Sequence, residues 1–292
     1  SVAAASSTPS PFRSPRASCL PRRTVVLAAE PGAPEQRRHG WIRAGRVAAV
    51  AGVLCHAAAI GFRCVELHRA PFATAGESLS LLALLVVVAY LLADAVWRIS
   101  AAGPFALGIG FLLVLLAGIQ PDTGVHSGHH PLLEENAVSL HILAMLSAFA
   151  AFALAFTVAV LYLIERRILR SKDGLAWRRR LPPLGLLEKA SLALVALGFP
   201  LLTLGILSGV VRAAGGGMGP GWWMDPKTVL ALVLWGVYGL FLMSRLLLRW
   251  TAQRAAWILV AGLVLCAAVL VVPTATHRFE GAEGQARGGS GG

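Results

Sequence analysis

Seven stretches of predominantly apolar residues follow one another along this chain, at about 45–64, 78–97, 103–119, 137–164, 189–211, 225–247 and 254–276. Each approaches the roughly 20 residues that carry an α-helix across the hydrocarbon core of a bilayer. In lipid every backbone amide and carbonyl needs an internal partner, so apolar runs of this length fold as helices. The pattern predicts an all-α integral membrane protein, a bundle of about seven transmembrane helices. The composition fits: 57% of the residues are hydrophobic and 14% charged, whereas soluble domains are about half apolar and about a quarter charged.

The charges give an orientation. Arg37, Arg38, Arg43 and Arg46 precede the first span, Arg98 follows the second, Arg166 to Arg180 follow the fourth, and Arg245, Arg249 and Arg254 lie between the sixth and seventh. With seven spans all of these fall on one side, and the positive-inside rule puts the N-terminus inside and the C-terminus outside. The net charge of +12 therefore sets topology. No interleaved basic and aromatic surface of the nucleic-acid-binding kind is present, so no nucleic acid is expected and membrane lipid is the surrounding partner. Cys19, Cys55, Cys64 and Cys266 form no Cys-x-x-Cys pair and no Cys-x-x-Cys-His, which argues against a c-type cytochrome, a dithiol oxidoreductase and a zinc module. Three regions are expected: a disordered basic tail over 1–44, a transmembrane domain over 45–277 and a flexible tail over 278–292. The Ser, Ala, Pro and Arg bias of the first region is shared by transit peptides, basic cytoplasmic tails and upstream sequence included through start-site choice.

Gly215 to Gly221 and the Trp222-Trp223-Met224-Asp225-Pro226-Lys227 run precede the sixth stretch. An aspartate side chain accepts from the open N–H groups of a helix start, and proline fits the first helical position, so a helix should begin at Asp225. Glycines let a backbone approach a flat ligand and indoles stack on one. Tryptophans also gather where membrane helices meet water, which leaves an interfacial anchor as the alternative.

The eight histidines sort by topology. His39 and His68 belong to surface segments, and His126, His129 and His130 form a polar loop whose composition suits a transition metal or nothing specific. His141 lies one to two turns, about 7 Å, inside a fourth helix that starts near Asn136, and His277 closes the seventh helix at the same outer boundary. Two neutral imidazoles on separate helices can ligate a heme iron from opposite faces; each can equally anchor a helix end. His56, within the first span, should face the bundle interior, either to ligate heme or to hydrogen-bond a neighbouring helix. Asp94 and Arg98, at i,i+4 spacing, are expected to form a local ion pair.

Several stretches together resemble the cytochrome c assembly family, the heme-handling, tryptophan-rich CcsA/ResC type of System II with its HemX-like relatives. Trp222-Trp223-Met224-Asp225-Pro226-Lys227, with Trp235 and Tyr238 beyond it, resembles the family's tryptophan-rich WWD segment. His141-Ile142-Leu143-Ala144-Met145-Leu146-Ser147 resembles its histidine-led helix. Leu181-Pro182-Pro183-Leu184, Leu187-Glu188-Lys189 and Gly198-Phe199-Pro200-Leu201-Leu202-Thr203 resemble the connection and span between them. The resemblance implies heme b as cofactor, His141 and His277 as iron ligands, and Trp222, Trp223 and Asp225 as the heme-facing loop, with His56 as a further candidate. It implies presentation of heme to apocytochrome c at the outer face of a bacterial plasma membrane, in preference to an organelle membrane, beside a CcsB/ResB-like partner. No nucleophile, triad or phosphate loop is present, so any enzymatic part is at most that of a subunit in a heme-attachment complex. Met224, Thr228 and the Gly215 to Gly221 run depart from the family pattern and favour the alternative, a HemX-like accessory or regulator of heme synthesis. A membrane transporter or scaffold built around His56 is a third reading.

Overall fold

The computed structural model describes residues 33–67, 74–120, 136–170, 182–214, 222–248 and 250–271. Seven α-helices run through them: α1 (Ala33–Leu67), α2 (Ala75–Trp97), α3 (Gly103–Gly118), α4 (Asn136–Arg170), α5 (Leu184–Arg212), α6 (Pro226–Leu246) and α7 (Ala252–Val271). Short 3-10 turns at Ser100–Ala102 and Trp222–Met224 precede α3 and α6. Among the described residues, seven helices are long and apolar enough to cross a membrane, and they fall on the seven predicted stretches. The bundle lies in the unit Ile42–Gly292; Ser1–Trp41 forms a separate unit, described only from Ala33. α1 thus starts earlier than the sequence pattern suggested, with Pro34 in its first turn, where a missing N–H is harmless.

α4 is the central post of the bundle, with 72% of its apolar window buried. It packs on α2, α3, α5 and α7. Its buried face is rich in alanine (Ala144, Ala148, Ala151, Ala155 and Ala159), and small side chains let membrane helices come close enough for van der Waals packing to hold them. The larger side chains that remain are used in pairs: Phe152 of α4 stacks on Tyr238 of α6, ring centroids 3.6 Å apart.

Antiparallel α4 and α5 meet through a groove of glycines. A Cβ at Gly198 would stand 2.7 Å from the Phe152 ring, one at Gly205 2.5 Å from Met145 Sδ, and one at Gly209 3.0 Å from His141 Cε1. Steps of seven and four along α5 therefore match steps of seven and four, reversed, along α4. Residues at such spacing share one helix face. The register brings the imidazole of His141 against the last turns of α5.

α1 attaches differently. None of its apolar window is buried, and polar side chains tie it to α2 at three levels. Arg46 Nε donates to Asp94 Oδ2 at 2.6 Å and Arg46 Nη2 to Ser100 Oγ at 3.1 Å, while Ser100 Oγ donates to Asp94 Oδ1 at 3.0 Å. His56 Nε2 and Ser80 Oγ share a hydrogen bond of 2.9 Å, and Arg63 Nε lies 3.5 Å from Glu77 Oε1. The expected Asp94–Arg98 pair does not form. Arg98 takes the left-handed conformation (φ 53°) that ends α2, donating its backbone N–H to the Asp94 carbonyl, and this leaves the carboxylate to Arg46. Asp94 is only 2% exposed, so Arg46→Ala strands a buried carboxylate with a single hydroxyl partner. Loss of one member of such a pair should cost on the order of 3 kcal/mol. Thermal unfolding in detergent checks this, with Arg46→Lys expected to recover part of the loss.

Candidate functional site

The alternation of helix directions gathers four helix ends at one end of the bundle: the start of α4, the end of α5, the start of α6 and the end of α7. His141, Trp222, Trp223 and Asp225 of the predicted site residues lie on these ends among the described residues.

His141 sits in the second turn of α4, partly buried. Its Nδ1 is 2.6 Å from the carbonyl oxygen of Gly205 and 3.3 Å from Ser208 Oγ, and Ser208 Oγ itself donates to the Gly205 carbonyl at 2.9 Å. A carbonyl only accepts, so Nδ1 carries the ring proton and Nε2 keeps its lone pair. Nε2 makes no hydrogen bond among the described residues. This is the arrangement by which a second-layer hydrogen bond fixes the tautomer and aim of a metal-binding imidazole.

The loop before α6 is built on a local cap. Asp225 is the N-cap and Pro226 occupies the first turn, as the sequence predicts, with Asp225 Oδ1 accepting from the Lys227 amide at 2.8 Å. The Asp225 amide donates to the Trp222 carbonyl at 3.2 Å, closing the 3-10 turn. Asp225 is buried by this work, and the turn it anchors holds Trp222 half-buried while Trp223 stays 57% exposed. Trp235 and Tyr238, the aromatic residues further along, serve packing. Trp235 Nε1 donates to Thr203 Oγ1 at 3.0 Å and its ring stacks on Phe199, and Tyr238 is fully buried against Phe152.

His56 is not joined to this cluster; its hydrogen bond is to Ser80 on α2. His277, the His126, His129 and His130 loop, His68, and the Gly215 to Gly221 run lie outside the described residues. Among the described residues no three His, Cys, Asp or Glu side chains converge as a metal cluster. Sequence reasoning missed Gly205, Ser208 and Gly209, the residues that hold His141. Their signal was the run of glycines at 198, 205 and 209, whose meaning depends on knowing that α4 is their neighbour. At the far end of the bundle, Arg245 of α6 clamps Glu188 of α5 and donates to the Trp250 carbonyl at 2.9 Å.

Residues 72–272 match the family model described as "Cytochrome C assembly protein". The chain is 31% identical over 135 residues to the cytochrome c biogenesis protein CcsA of Chlamydomonas reinhardtii, covering 46% of this chain and 37% of the algal protein. It is 25% identical over 260 residues to the CcsA of Gloeothece citriformis (strain PCC 7424), covering 73% and 78%. It is also similar to the protein HemX of Brevibacillus brevis, 28% identical over 169 residues, covering 58% and 61%. The match to the algal relative thus spans well under two thirds of that protein.

Proposed function

This chain belongs to the cytochrome c assembly protein family, and we propose that it acts in cytochrome c biogenesis by holding heme b at the end of the bundle where α4 and α6 begin. The observation that carries the reading is His141, whose Nδ1 is engaged by the Gly205 carbonyl so that Nε2 is presented with its lone pair. His277, six residues beyond the end of α7, supplies the second imidazole. Trp222 and Trp223 would offer their indoles to the macrocycle, on a turn whose shape Asp225 fixes. Arg212, in the last turn of α5, and Lys227, in the first turn of α6, bring two cations to the same end, where they would suit the propionates.

When bound, heme supplies the vinyl groups to which cysteine thiols of an apocytochrome c add. The protein's part is to bind, orient and present. His141 and His277 would hold the iron, and Trp223, exposed at this end of the bundle, would meet the group or the incoming peptide. By the positive-inside rule this end would face outward, toward apocytochrome c, and the membrane we assign is a bacterial plasma membrane. A CcsB/ResB-like membrane partner completes the assembly, in which this chain is a subunit.

The likeness to HemX favours a second reading, in which the chain accompanies heme synthesis. Deletion of the gene separates the two. We expect loss of covalently attached heme from c-type cytochromes on heme-stained gels. Normal staining with altered heme-precursor levels would replace the first reading by the second.

A further inference from the structure

We infer that Ser208 is a positioning residue which tunes His141 by competing with it for the Gly205 carbonyl. The inference rests on the proposal that His141 binds heme iron, but its geometry stands apart from that proposal. Gly205 lies inside α5, where its carbonyl takes the amide of Gly209 in the helical ladder. The same oxygen accepts from Ser208 Oγ at 2.9 Å and from His141 Nδ1 at 2.6 Å. Three donors thus address an oxygen with two lone pairs.

The ring lies against the bare backbone of Gly209, where an added Cβ would stand 3.0 Å from Cε1, so closeness to α5 is built into its position. The hydroxyl, in contrast, rotates freely. Ser208 therefore sets how strongly Nδ1–H is bonded. A stronger Nδ1–H bond makes an imidazole a more electron-rich ligand, and such a ligand favours ferric over ferrous iron. Gly209 provides the platform, Gly205 the acceptor and Ser208 the adjustment.

Two measurements on the full chain test this. In heme-free protein labelled with 15N-histidine, with His141 assigned by its loss in His141→Gln, the spectrum should show the Nδ1–H tautomer. In Ser208→Ala that tautomer should persist with the Nδ1 proton shifted downfield. In protein loaded with heme, optical redox titration should give a lower midpoint potential for Ser208→Ala, and Ser208→Thr, which keeps the hydroxyl, should match the unaltered protein. If Ser208→Ala does not fold, Gly209→Ala serves instead: its methyl group must displace the ring, and His141 should lose the downfield Nδ1 signal. An Nε2–H tautomer in the unaltered protein overturns the inference, as does a Ser208→Ala Nδ1 signal or potential identical to that of the unaltered protein. Should the chain take up no heme, the heme reading falls while the tautomer measurement still decides the role of Ser208.

Discussion

Purified with its heme, the chain should show the absorption spectrum of a bis-histidine heme, and the His141→Ala, His277→Ala double variant should have lost it. Removal of an outer-layer partner of a metal ligand already weakens a site about 10- to 100-fold. Loss of the ligands themselves should weaken heme binding by at least about 100-fold. The fold should survive, because the Gly205 carbonyl that His141 leaves behind still accepts from Ser208 Oγ, and Phe152 and Met145 still fill the groove of α5. His141→Ala alone should leave a single imidazole and a high-spin spectrum. Added imidazole, which fits the space vacated beside Gly209, should restore the low-spin form. An unchanged heme content in the double variant, with an intact thermal transition, would show that heme is held elsewhere. His56 on the α1–α2 seam would then be the next residue to replace.

What could be read from the sequence was what depends on near neighbours in the chain. The seven spans follow from the length and apolarity of each segment, without reference to the others. The start of α6 follows from Asp225 and Pro226, which supply an acceptor and a ready-made φ within the same turn. The Asp94 partner was misread because i,i+4 spacing presumes a continuous helix. Arg98 leaves the helix through its left-handed conformation, and the true partner, Arg46, lies 48 positions away. His141 was legible as a candidate because a helix starting near Asn136 puts it one to two turns from the boundary that also carries Trp222, Trp223 and Asp225. Its hydrogen-bond acceptor was not, since Gly205 becomes a partner only through the register of α4 on α5. The aromatic residues teach the same point: Trp235 and Tyr238 follow the Trp222-Trp223 run, yet Tyr238 is fully buried against Phe152 and Trp235 is tied to Thr203 and Phe199 of α5.

The register that creates the site also decides which glycine matters most. At Gly198 an added side chain meets the Phe152 ring at 2.7 Å and the Ala151 Cβ at 3.1 Å, and Phe152 has little room to yield, because its ring is stacked on the fully buried Tyr238. Gly198→Leu should therefore force α4 and α5 apart, at a cost of about 3 kcal/mol or more. That is a large part of the roughly 5–15 kcal/mol that holds a typical folded domain together. At Gly205 the clash is with the thioether end of Met145, a chain with three rotatable bonds that adapts to such intrusions. Gly205→Ala should accordingly cost less than about 1.5 kcal/mol. Thermal unfolding in detergent ranks the two, and equal stability would mean that α4 and α5 do not interlock as described. Heme binding should follow the same order, because His141 keeps its acceptor only while the two helices stay in register.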